Sequence, residues 1–113
     1  MSRMRFGAFL APHHPVGENP YLQFRRDLDL AAHLDRLGYD EFWCGEHHSS
    51  GWEMIASPEM FLAAAGERTQ RIKLGTGVVS LPYHHPCPCR HPCSHPSHSL
   101  LPLFLVVTGL WIF

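Results

Sequence analysis

Three short apolar runs are separated by two helix-length segments, and nearly every changeover carries a proline, a glycine or a capping residue. That alternation constrains the fold more than any other feature. Residues 5–10 (RFGAFL) are apolar and end at Ala11-Pro12, the pattern of a buried strand, and residues 13–19 read as a loop. Asn19 can cap a helix with Pro20 at its first position. On the way to Leu37, the residues Phe24, Leu28, Ala31 and Leu34 fall on one stripe, with Arg25, Asp29, His33 and Arg36 opposite. Gly38 is the expected left-handed stop, and a second strand follows over residues 40–45. Ser57-Pro58-Glu59 repeats the cap-plus-proline start for a helix to about residue 68, whose Ala63-Ala64-Ala65-Gly66 surface is small enough to lie close to a sheet. Residues 72–80 form the third strand.

A β-α-β-α-β order with short apolar strands argues for a parallel sheet wound right-handedly. The sheet can stay open and doubly wound, or begin an eight-stranded barrel. Neither Gly7 nor the Gly75/Gly77 pair opens a helix in the G-x-G-x-x-G manner, which speaks against the dinucleotide-binding open sheet. The expected fold is therefore α/β, the first three β/α units of a TIM barrel. A barrel takes about 250 residues. The chain has 113, so the expectation is a truncated one.

Composition changes after Pro86. Arg90 is the only Lys, Arg, Asp or Glu beyond it, while Cys87, Cys89 and Cys93 crowd together among prolines dense enough to forbid a helix. Two segments are read: a partial barrel domain over 1–86, and a Pro/Cys/His-rich, then apolar, tail over 87–113. The whole is expected to be a frameshifted or mis-spliced gene product, or a pseudogene-like fragment, with a tail unrelated to the domain before it. Its residues 100–113 are interrupted by Pro102 and fall short of the about 20 residues that a membrane helix needs. They are expected to be an aggregation-prone strand or a disordered end. With His91, His95 and His98, the three cysteines supply zinc or copper ligand types at a spacing that matches no standard finger. This leaves, as an alternative function, a nonenzymatic fragment with a metal-binding tail.

A formal net charge of −1 with interspersed signs argues against nucleic-acid binding, and no signal-peptide core follows Met1. The expected compartment is the cytoplasm, with no membrane partner. Glu46-His47-His48 sits where the second strand runs out. Alternation along a strand would admit one imidazole to the barrel mouth, with Glu46 turned away to orient or pair it, and a purely structural strand-end pair is the rival reading. Gly75-Thr76-Gly77 marks either a bulge or a backbone approached by a flat ligand. Tyr83-His84-His85 is a lid or a solvated turn, Trp43, Trp52 and Phe9 read as core or rim packing, and Cys44 as a small buried hydrophobe.

Residues 5–86 closely resemble the N-terminal portion of the bacterial luciferase-like flavin-dependent monooxygenases, through RFGAF, DLAAHLDRLGYDEFWCGEHH and SPEMFLAAAGERTQRIKLGTGVVSLPYHHP. Within that family the sequence is most similar to the limonene monooxygenase branch. The resemblance implies a TIM barrel, oligomeric at full length, and reduced FMN supplied by a separate flavin reductase, with a deazaflavin as the alternative. It also implies oxygen from O2 inserted into a small apolar, terpene-like substrate by way of a flavin hydroperoxide. It assigns His47 to steadying the peroxide or relaying a proton beside the flavin. Gly77 and Val78 become an unusual cis pair against the flavin ring, and Ala8 and Phe9 the pocket floor. No metal enters that assignment. The family holds the flavin phosphate on later barrel segments, so the chain as given is expected to be inactive.

Overall fold

The computed structural model describes residues 3–83 and the strand at 105–109. The elements are β1 (Gly7–Leu10), α1 (Pro20–Leu37), β2 (Glu41–Cys44), α2 (Pro58–Gly66), β3 (Lys73–Ser80), a 3-10 turn (Leu81–Tyr83) and β4 (Leu105–Gly109). The four strands are parallel and lie in the order β1-β2-β3-β4, each beside its neighbour in sequence. That order has no reversal point and is the order of a barrel wall, in contrast to a doubly wound sheet.

The termini of α1 follow from local chemistry. The Asn19 side chain accepts the Tyr21 N–H at 2.9 Å, Pro20 occupies a position whose N–H would be unpaired in any helix, and Gly38 stops the helix at φ 83°. At α2 the side chain of Ser57 makes no capping bond. The carbonyl of Ser57 instead accepts from Met60 and Phe61, and Pro58 sets the entry.

One face of the sheet is covered by the two helices. Leu28, Ala31 and Leu34 of α1 and Phe61, Leu62 and Ala65 of α2 close over Phe42, Cys44, Ile72 and Leu74. Phe61 is the centre of this layer, edge-on to Phe24 at 5.2 Å and stacked with Phe42 at 6.3 Å. A fully buried side chain of that size stabilises the fold by about 1.5–3 kcal/mol.

Periodicity did not show that α1 also buries Gln23, Asp27 and Asp35. Each ties a loop to the helix. The Gln23 amide donates to the Pro15 carbonyl at 2.9 Å, Asp27 Oδ2 lies 2.7 Å from His14 Nε2, and Asp35 receives three backbone N–H groups from residues 70–72.

The sheet does not stop at three strands, as the sequence reading held. Leu105–Gly109 continues it, its backbone paired with β3 from Gly75 to Ser80 and its register shifted between Gly77 and Val79. The N–H and C=O row on the far edge of β3 would otherwise face solvent, and an apolar β-branched run satisfies it. Of the two expectations for the apolar end, a strand is therefore what these five residues form, with its partner inside the chain. The cysteines and histidines of the proposed metal-binding tail lie outside the described residues, as do His84 and His85. Among the described residues no helix is long and apolar enough to cross a membrane.

Candidate active site

Strand β2 ends at Cys44, and from Gly45 the chain leaves the ladder while the Gly45 N–H still donates to the Leu10 carbonyl at 2.9 Å. The extended alternation therefore stops before the histidines. This overturns the expectation that only one of them can face the mouth: His47 and His48 both line a cleft of about 420 Å³ at the C-terminal ends of β1, β2 and β3. Its volume lies within the range of small-molecule and cofactor sites, and its position is where parallel α/β folds place their chemistry.

The floor of the cleft carries little side chain. Phe9 is 60% exposed and its ring lies over two glycines. A Cβ added at Gly45 would stand 3.3 Å from Phe9 Cζ and 3.1 Å from Pro12 Cδ, and one at Gly77 would stand 3.4 Å from Phe9 Cε2. Val78 completes the floor, and the Gly77–Val78 peptide is cis, as the resemblance implies. The β3–β4 register shift falls between Gly77 and Val79, as the bulge reading of Gly75-Thr76-Gly77 expects. Ala8 is not part of this surface. It packs against the helix-side core, since adjacent residues on β1 face opposite ways.

Two carboxylates organise the imidazoles. Glu46, its side chain fully enclosed, places Oε1 2.5 Å from His48 Nε2 and accepts the Ser80 N–H on Oε2 at 3.0 Å. It thereby joins the end of β2 to the end of β3. The His48 ring stacks on Tyr83 with centroids 4.1 Å apart, which makes Tyr83 a wall of the cleft. Glu46 thus serves His48, and the partner expected for His47 is a different residue. His47 Nδ1 lies 2.7 Å from Glu53 Oε2, and the other oxygen of Glu53 lies 3.1 Å from His13 Nε2.

Glu53 carried no sequence signal. It sits in an irregular loop, six positions from His47, a spacing with no helical or strand meaning. Among the described residues no group of three or more His, Cys, Asp or Glu side chains is arranged to hold a metal. Trp52 is half-exposed on the rim, and the Trp43 indole N–H donates to Glu41 at 3.2 Å.

The residues fit the ring of a flavin and not its phosphate. The missing side chains of Gly45 and Gly77 let Phe9 lie flat against the strands, so a planar ring would meet the exposed Phe9 and Val78, with an imidazole beside it. Among the described residues lining the cleft there is no lysine or arginine to hold a phosphate.

A family model described as luciferase-like monooxygenase matches residues 4–88. The chain is 66% identical over 86 residues to 4-hydroxyprotoasukamycin monooxygenase of Streptomyces nodosus subsp. asukaensis, covering 76% of this chain and 23% of that protein. It is also 66% identical over 84 residues to limonene 1,2-monooxygenase of Rhodococcus erythropolis, covering 74% and 22%. Among solved structures it is similar to the oxygenating constituent of 3,6-diketocamphane monooxygenase from the CAM plasmid of Pseudomonas putida, a type II Baeyer–Villiger monooxygenase in complex with FMN. That likeness has a TM-score of 0.84 at 27% identity and covers 97% of this chain and 30% of the other. The chain spans less than a quarter of the length of the two curated relatives.

Proposed function

The chain belongs to the luciferase-like monooxygenases, and from that premise we propose that its cleft is the flavin-facing wall of an FMN-dependent oxygenase acting on a small apolar, terpene-like substrate. The observation that carries this reading is the half-exposed His47 imidazole beside an apolar floor of Phe9, packed down on Gly45 and Gly77, and Val78. Reduced FMN, when bound, supplies the electrons with which one atom of O2 enters the substrate. Phe9, Gly45, Gly77 and Val78 would receive the ring, and His47 would hold or move a proton at its edge. The FMN in the structural neighbour supports FMN over a deazaflavin. A trigonelline monooxygenase relative from Acinetobacter baylyi is named as an oxygenase component, which supports a separate reductase as partner.

In this reading the 113-residue chain is one sector of the catalytic barrel and does not turn over by itself, because the described residues of its cleft bring no cation to the flavin phosphate. Two measurements test the proposal. Titration of the purified chain with FMN, followed by flavin fluorescence, should show no stoichiometric complex, and tight one-to-one binding would overturn the inactive-sector reading. Exchange of residues 3–83 into the matching segment of limonene 1,2-monooxygenase should preserve oxygenation. In that chimera His47→Ala should lower kcat by about 10²–10⁴, the range for a positioned proton-transfer group. A chimera indifferent to His47→Ala would remove the histidine from the mechanism.

A further inference from the structure

We propose that Glu53 is the positioning residue of this cleft: its carboxylate fixes the His47 imidazole with the proton on Nδ1 and leaves Nε2 as the ring's acceptor nitrogen. A carboxylate can only accept, so the nitrogen 2.7 Å from Glu53 Oε2 must be the one that carries hydrogen. Among the described residues Nε2 of His47 has no partner. The geometry is held from several sides. Glu53 is 11% exposed against 46% for His47, so the carboxylate is the buried anchor and the imidazole the group presented to the cleft.

Its backbone is clamped as well. Residues 13 and 53 form an antiparallel bridge, the His14 N–H donates to the Trp52 carbonyl at 2.6 Å, and the Met54 N–H donates to Pro12 at 3.3 Å. The His47 N–H donates to Ile55 at 3.1 Å, which brings the two ends of the loop together around the pair. Ser50 Oγ adds a hydrogen bond to the same Oε2 at 3.1 Å, and His13 Nε2 lies 3.1 Å from the other oxygen. With both oxygens engaged, the carboxylate has no freedom to turn away from His47. Glu46 cannot substitute for it, because that carboxylate is committed to His48 and to the Ser80 N–H.

The chemical use of Nε2 rests on the flavin reading above; the tautomer does not, and the test reads the tautomer in the ligand-free chain. Long-range proton–nitrogen correlation spectra of the full chain, labelled with ¹⁵N-histidine, report which ring nitrogen is protonated, and His47→Gln assigns the signal. The expected wild-type pattern is Nδ1–H for neutral His47. Glu53→Gln offers one accepting oxygen to two histidines, and Glu53→Asp retracts the carboxylate by one methylene. Both should lose the exclusive Nδ1–H pattern while far-UV circular dichroism stays unchanged, whereas His13→Gln should keep it. An Nε2–H tautomer in the wild-type chain would overturn the proposal without any variant, and so would an unaltered His47 pattern in both Glu53 variants. Failure of FMN to bind leaves these outcomes unaffected, so the two readings can fall separately.

Discussion

Asp35 is the strongest test of how the fold is held. It leaves the last turn of α1 and accepts the Ile72 and Arg71 N–H groups on Oδ1 at 2.7 and 3.0 Å, and the Gln70 N–H on Oδ2 at 3.0 Å. The turn into β3, and with it the register of Gly75 and Gly77, hangs on this carboxylate. Burial pushes the Asp35 pKa up, but the backbone N–H groups of Gln70, Ile72 and Arg71, together with the Arg71 charge, outweigh it and hold the pKa below the ordinary value. Asp35→Ala strands three donors, of which the Ile72 N–H is buried, at about 1–3 kcal/mol for each group denied water. Allowing partial rehydration at Gln70 and Arg71, the loss should be about 3–5 kcal/mol out of the roughly 5–15 available to a domain. Asp35→Asn can keep its oxygen toward Arg71 and Ile72 but then turns an NH₂ toward the Gln70 N–H, so its cost should be about 1–2 kcal/mol.

The pH dependence has a definite sign. The folded-state pKa is depressed, so the contribution is complete above the ordinary aspartate value and disappears as pH falls through the folded one. Urea unfolding followed by circular dichroism, at neutral pH and in a series into acid, measures both effects. An Asp35→Ala chain within about 0.5 kcal/mol of wild type, the scale of a neutral surface change, would refute the reasoning. So would Asp35→Asn and Asp35→Ala chains equally destabilised.

Gly45→Ala places a Cβ 3.1 Å from Pro12 Cδ and 3.4 Å from the Leu10 carbonyl oxygen, so the β1 end must shift, at about 1–3 kcal/mol for overpacking. Gly51→Ala meets nothing within 4 Å and serves as the control; thermal melts that rank the two variants equally would sink the packing account. The Cys44 thiol is pushed up to about 12, chiefly by burial and secondarily by the charges of Asp27 and Glu59. Because the thiolate is the reactive form, iodoacetamide near pH 8 should leave the Cys44 peptide unmodified in the native chain and modify it in denaturant, as peptide mass spectrometry would show. Equal labelling in both states would contradict the buried placement.

The parts of the site that could be read from sequence were those attached to strand ends. Glu46-His47-His48 stands out as a strand end from the residues themselves, whereas Phe9, Gly77 and Val78 are placed in the pocket only by the resemblance; all of them line the cleft. Ala8 was placed on the wrong face, since the resemblance named two adjacent β1 residues and alternation admits only one to each side. The expectation that one histidine alone faces the mouth fails for a related reason: alternation does not extend past Cys44, where β2 ends.

From the order of its residues alone, the chain determined its β/α rhythm, the span of α1 between Asn19 and Gly38, the parallel sheet and the family to which it belongs. Each of these rests on hydrogen-bonding and steric preferences acting within a few residues, or on a run long enough to match as a whole. Tertiary structure decided which carboxylate serves which imidazole, which polar residues of α1 are buried, and that residues 105–109 close the edge of β3. Those outcomes depend on where loops and edges meet in space. A side chain's partner there is set by distance, which no periodicity along the chain records.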